Sequence, residues 1–338
     1  MNGLWILLAW FIIPMLTAYC QQERTQKSEH IGQGRTYELK SIRIEGEVDQ
    51  AGTFDLTSLA LHSFPVKELA FENGKEQFKG AFTYSGYSLS DILNSTRIKK
   101  ANASEYPPFV DLYMVIENAK GEKVVVSWAE VQYSRDPHRF LLTTSAQPIV
   151  PSKIKATWPL PDESRLICGN DRLNARFLNR PTRITVHSFK GSFAGTKRQN
   201  MFSPDITVFS NGRSSKIVEI DANVEKRTHT HVGFGHGMGF KGLTTIQGFV
   251  LAQVLKGLVD PEMDALRQAI LVVSAKDGYR AVLSVSEIFN RSDNVDFLLI
   301  DRNESTEDGR YILFATPDFY VDRNVKAIAK MEVTFIKD

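Results

Sequence analysis

Three of the chain's seven histidines fall within the eight residues His229-Thr-His-Val-Gly-Phe-Gly-His236, the densest group of candidate ligands in the sequence. Side chains alternate along an extended backbone, so His229 and His231 share one face. The glycines at positions 233, 235, 237, 239 and 242 let the chain fold back and carry His236 toward them. Neutral imidazoles in this number suit Zn2+ or Cu2+ and leave a coordination position open. Two further readings stand beside that metal site: a glycine-rich loop with solvated histidines, and a loop whose amides contact an anion. The Gly-x-Gly-x-Gly-x-Gly spacing is not that of a dinucleotide fingerprint.

Other reactive patterns are sparse. There is no Gly-x-Ser-x-Gly and no Cys/His pairing at a recognisable spacing. Trp128, Trp158 and Tyr133 read as core or rim, and Arg135-Asp-Pro-His138 as a turn. Ser127-x-x-Glu130 and Ser284-x-x-Glu287 have the spacing of capping boxes, which assigns both glutamates to helix starts and not to acid catalysis.

The elements that carry these residues recur in the same order. Gly86-Tyr-Ser-Leu-Ser-Asp-Ile-Leu93 matches Gly248-Phe-Val-Leu-Ala-Gln-Val-Leu255, an entry strand followed by a helix with one buried face. Gly121–Val131 matches Gly278–Ile288 without a gap, each following an apolar run; Asp277-Gly278 marks a hairpin turn, and Lys120-Gly121 can make the same one. Phe140-Leu-Leu corresponds to Tyr311-Ile-Leu. The expected organisation is a first repeat over 33–155, a proline-rich connector over 156–180 and a second repeat over 181–338. The expected class is α+β, two tandem mixed α/β units.

These motifs resemble the oxidoreductase molybdopterin-binding domain, the core of sulfite oxidase. The second copy carries the likeness best, in Gly248–Leu255, Ile270–Ser274, Asp277-Gly278-Tyr279-Arg280, Ser284–Ile288 and Arg323–Val333. The resemblance implies the sulfite oxidase molybdopterin-binding fold and, in the enzymes, one cysteine thiolate on molybdenum. Here the corresponding stretches, Leu69–Asn73 and Ile217–Asp221, contain no cysteine. Cys168, in Leu166-Ile-Cys-Gly-Asn170, echoes the ligand motif but lies 80 residues before Gly248. The chain resembles the small members that lack the ligand, so molybdopterin enters by resemblance only.

The N-terminus departs from the globular average of the rest. Leu4–Thr17 carries no charge, and Ala18-Tyr-Cys20 follows, so residues 1–20 read as a signal peptide. Cleavage before Gln21, lipidation of Cys20 and retention as an anchor are the three fates. Export places the chain in the periplasm or outside the cell, with membrane contact only through an uncleaved or lipidated N-terminus. With 41 basic and 39 acidic residues spread along the chain, no block has the density of a nucleic-acid footprint. The expected function is an exported ligand-binding or scaffolding protein for a small molecule or anion. The alternative is a molybdopterin-dependent oxidoreductase or a histidine-metal enzyme of the cell envelope.

Overall fold

The computed structural model describes residues 33–191, 201–303 and 309–336. The signal-peptide segment lies outside the described residues. Within them, no helix is long and apolar enough to cross a membrane.

In chain order the first half runs β1 (Arg35–Thr36), β2 (Ser41–Gly46), β3 (Gly52–Asp55), β4 (Leu61–Glu72) and β5 (Lys75–Ser88). The helix Leu89–Asn94 follows, then β6 (Leu112–Asn118), β7 (Lys123–Ser127) and the helix Trp128–Gln132. β8 (Phe140–Pro148), β9 (Arg165–Cys168), β10 (Leu178–Asn179) and β11 (Pro181–Ser188) complete it. The second half runs β12 (Ile206–Ser210), β13 (Arg213–Ile217), β14 (Lys226–Gly235), β15 (Gly239–Val250) and the helices Leu251–Val254 and Met263–Gln268. It ends with β16 (Ala269–Ala275), β17 (Arg280–Ser284), the helix Val285–Phe289, β18 (Leu298–Asp301), β19 (Tyr311–Phe314) and β20 (Ile328–Phe335).

This architecture corrects the expected fold class. Strands make up 49% and helices 13%, and four small sheets in a β-propeller-like arrangement replace the α+β pair of mixed α/β units resembling the sulfite oxidase fold. The physical reason lies in the helix signals. The apolar pattern after Gly86 and Gly248 is shared between a strand end and helices of only six and four residues. The capping boxes start helices of five residues each. These turns close strand ends and cannot cover a sheet.

The order of elements nevertheless recurs. One sheet, β3-β2-β11-β6-β7, has the same path as another, β13-β12-β20-β16-β17. In each, the last strand of the half pairs parallel to an early strand, β2 or β12, and antiparallel to the apolar central strand, β6 or β16. The other two sheets are β10-β9-β8-β5-β4, joined by β1, and β14-β15-β18-β19. Both long hairpins carry a bulge at the same step, Glu68/Leu69 and Gly233/Phe234. The paired glycines have a steric cause. A Cβ on Gly86 would lie 2.1 Å from the Leu142 carbonyl oxygen, and one on Gly248 would lie 2.9 Å from Leu298 Cβ. Gly121 and Gly278 turn their hairpins at φ 79° and 87°, as the sequence required.

The halves meet across β6–β7 and β16–β17, where Val115, Val125, Ile270, Val272 and Val282 form a shared apolar layer. Beside it both capping boxes form as read. Ser127 Oγ accepts from Glu130 N while Glu130 returns to Ser127 N, and Ser284 and Glu287 do the same. The boxes also exchange partners. Ser127 Oγ donates to Glu287 Oε1 at 2.8 Å, and Arg176 Nη1 reaches both Glu130 Oε1 at 2.8 Å and Ser284 Oγ at 3.1 Å. Reciprocally, Arg323 Nη1 reaches Glu287 Oε1 at 2.9 Å and Ser127 Oγ at 3.2 Å. Each arginine is gripped by an aspartate five residues earlier, Asp171 for Arg176 and Asp318 for Arg323. The backbone bridges Ser134↔Asp318 and Asp171↔Arg291 repeat this exchange. Such reciprocity is the hallmark of a two-fold interface, here made inside one chain.

Candidate functional site

The two long hairpins diverge in what covers them. His62 stands opposite Gly86, and Arg227 stands opposite the matching Gly248. Two and four residues on, Phe64 and Val66 of β4 therefore occupy the steps held by His229 and His231 of β14. In the first half that face is closed. Phe64, Val66, Phe82 and Tyr84 are buried in one cluster, with Trp158 and Leu160 of the proline-rich segment packed on it. In the second half the same face borders two clefts.

The first cleft has a volume of about 450 Å3 and is lined by Arg135, His231, Phe234, Phe314, Phe319 and Tyr320, among others. The second, about 520 Å3, lies on the other side of His231 and Phe314 and includes Lys241 and Tyr279. Both volumes suit a small molecule. The His231 ring stands edge-on to Phe314 at 4.5 Å, and the His229 and His231 rings are nearly parallel with centroids 6.1 Å apart.

Arg135 comes from the first half, three residues past the helix Trp128–Gln132. The Ser134↔Asp318 bridge and an Arg135 Nε bond to the Asp318 carbonyl at 3.3 Å fix it against the second half. Its Nη2 donates to His229 Nε2 at 2.9 Å, which makes that nitrogen an acceptor. Burial, then the Arg135 charge, then His231 hold the His229 pKa below its ordinary value. Burial is also the largest cause lowering His231. Both imidazoles are therefore neutral at neutral pH. Asp318, also at the cleft, has both carboxylate oxygens bound by Arg323. Among the described residues Arg135 forms no ion pair. The arrangement thus presents aromatic walls and one guanidinium whose fork geometry matches a carboxylate.

His229 and His231 share a face, as expected from the alternation. His236 does not join them. β14 and β15 stay paired past the bulge at Gly233/Phe234 out to Gly235↔Gly239, so the glycines turn the hairpin tip and do not fold the strand back. There the His236 ring stacks on Tyr133 at 5.6 Å and meets Tyr320 edge-on at 5.1 Å. Among the described residues, the group of three placed to hold an ion is His62, Asp91 and His138.

Cys168 does not fit a molybdenum ligand. It is fully buried, its Sγ lies 3.8 Å from the Arg176 carbonyl oxygen, and burial pushes its thiol pKa well up, away from the thiolate.

Sequence reasoning missed Arg135, read only as part of a turn, because its role depends on packing between the halves. It also missed the two Asp–Arg pairs, although the same five-residue spacing in both halves was a usable signal. No protein-family model matches the sequence, and comparison with curated proteins finds no match.

Proposed function

We propose that the chain is an exported binding module that captures a small aromatic or apolar carboxylate in the cleft beside β14. The observation that carries this reading is Arg135, delivered from the first half to a cleft walled by Phe234, Phe314, Phe319 and Tyr320 and paired there with neutral His229. The charge-free run Leu4–Thr17 supports export. The carboxylate takes the guanidinium's outward N–H donors, and the rings take the apolar body.

The test is calorimetric titration of the full chain with benzoate, phenylacetate and 1-naphthoate, and with their uncharged amides. A hydrogen-bonded charge contributes about 1.5–3 kcal/mol, so Arg135→Gln should weaken carboxylate binding roughly tenfold to a hundredfold. Amide binding should be equal in the two proteins. Equal carboxylate affinity in wild type and variant, or no carboxylate binding at all, overturns the reading.

A further inference from the structure

His62 opens β4, Asp91 lies in the first turn of the helix Leu89–Asn94, and His138 lies in the turn before β8. The hairpin, helix and turn bring one ligand atom from each residue to within 4.8 Å of the other two. His62 Nε2 is 2.7 Å from Asp91 Oδ2, and His138 Nδ1 is 3.9 Å from Asp91 Oδ1. The two imidazole rings stack with centroids 3.9 Å apart and planes 9° from parallel. All three side chains are between a quarter and two-fifths exposed, at 27%, 25% and 40%, so solvent reaches the group.

The repeat supplies a comparison. In the second half, the place of His62 is held by Arg227 and that of Asp91 by Gln253, each at the same step from the repeat glycine. Arg227 Nε donates to Glu225 at 2.7 Å, Nη1 donates to the Asn294 carbonyl at 2.8 Å, and the guanidinium also pairs with Asp296. The second half thus builds a cation into this position. The first half has a carboxylate and two imidazoles there, and among the described residues no Lys or Arg pairs with Asp91.

A serine-protease-like relay does not account for the group. Ser88 Oγ and Asp91 Oδ1 both address His138 Nδ1, at 3.1 Å and 3.9 Å, so the ring cannot pass a proton between them through its two nitrogens. Ser88 is moreover fully buried.

We infer that His62, Asp91 and His138 bind one divalent transition-metal ion, zinc above others, in the place where the second half keeps Arg227. Two imidazoles and one carboxylate are nitrogen and oxygen donors that zinc takes at about 2.0–2.2 Å, and a water completes the tetrahedron. The ligand atoms of such a site lie roughly 3.3 Å apart. Binding therefore widens the His62–Asp91 pair slightly, draws His138 inward from 3.9 Å, and moves the His62 Nε2 proton to Nδ1. Magnesium, which demands six oxygens, finds no such set.

The experiment titrates the metal-free full chain with zinc chloride against a chromophoric chelator at pH 7.5, and follows melting in parallel. One zinc per chain and a higher Tm are expected, with no response to magnesium. Loss of a direct ligand should weaken zinc at least as much as the roughly 100-fold upper cost of losing a supporting partner. That fall is expected in His62→Phe, which keeps a ring compatible with the strand, in His138→Gln, and in Asp91→Asn. The double variant His229→Ala/His231→Ala should bind zinc as wild type does. The inference is overturned if the wild type takes up no zinc, or if zinc is held by the His62→Phe and His138→Gln variants and lost in the double variant.

Discussion

Replacing Arg323 with methionine should destabilise the folded chain by about 3–5 kcal/mol, the cost of leaving buried charges without their partner. Arg323 is fully buried and holds the Asp318 carboxylate through two bonds of 2.6 and 2.7 Å while reaching Glu287 and the serine of the opposite capping box. Methionine fills much of the stem volume but satisfies none of these acceptors, and both carboxylates remain out of water. Arg176→Met should cost a similar amount, because Asp171, Glu130 and Ser284 surround it in the same pattern. Lys216→Met provides the contrast. Its pair with Asp205 is largely solvated, with the lysine 61% exposed, so the loss should be about 1 kcal/mol or less. Urea unfolding of the three variants measures the difference. Costs for the arginine variants no larger than for Lys216→Met would mean that the network is incidental to the joining of the halves.

The second large effect is on pH dependence. Glu287 is pushed up to about 7 from 4.5, first by burial and then by the negative charges of Glu130 and Asp318, against the opposing pull of Arg323. Its Oε2 lies 2.9 Å from Arg323 Nη1, so that guanidinium opposes protonation without outweighing burial. A group whose folded pKa is raised gives stability that is full below its unfolded pKa and lost as pH rises through the folded one. Glu287 therefore favours the folded state at pH 4.5 and below, and this contribution fades between pH 4.5 and about 7. The shift corresponds to about 3 kcal/mol. Gln keeps the N3 hydrogen bond of the capping box but cannot ionise. Asp171 is raised in the same direction by burial and titrates in both proteins, whereas Asp318, whose charge is among the causes raising Glu287, titrates together with it, so the difference between the two proteins reports that pair. Unfolding free energies of wild type and Glu287→Gln, measured across this range, should therefore diverge as pH rises, with wild type losing about 3 kcal/mol more. Parallel curves would contradict the raised Glu287 pKa.

Local signals survived the passage from sequence to structure better than global ones. The two capping boxes, the hairpin glycines and the matched Gly86 and Gly248 are fixed by contacts within a few residues or by one close strand crossing, and they were legible. The fold class was not. Apolar runs such as Val110–Glu117 and Ala269–Ala275 mark central strands, but nothing local tells them how many sheets to join. The pairings of β11 with β2 and of β20 with β12 span more than a hundred residues. The same limit applied to the sites. Alternation placed His229 and His231 on one face, whereas His236 went where the β14–β15 register carried it. Arg135 and His138, three residues apart in one turn, serve different places. Arg135 faces the second-half cleft across the join, and His138 closes on His62 and Asp91 of its own half.

The most direct measurement of the central claim is a proton NMR titration of the histidine rings, with 1-naphthoate added to the full chain. The chain has seven histidines, few enough to assign by single substitution. A naphthoate seated between Arg135 and Phe314 must pass its ring current over His231 and displace or share the Arg135 bond to His229. The predicted result is that His229 and His231 shift together and saturate at one Kd, that His62, His138 and His187 stay still, and that Arg135→Gln raises that Kd roughly tenfold to a hundredfold. Shifts confined to His62 and His138, or none at saturating naphthoate, would contradict a carboxylate-binding cleft on β14.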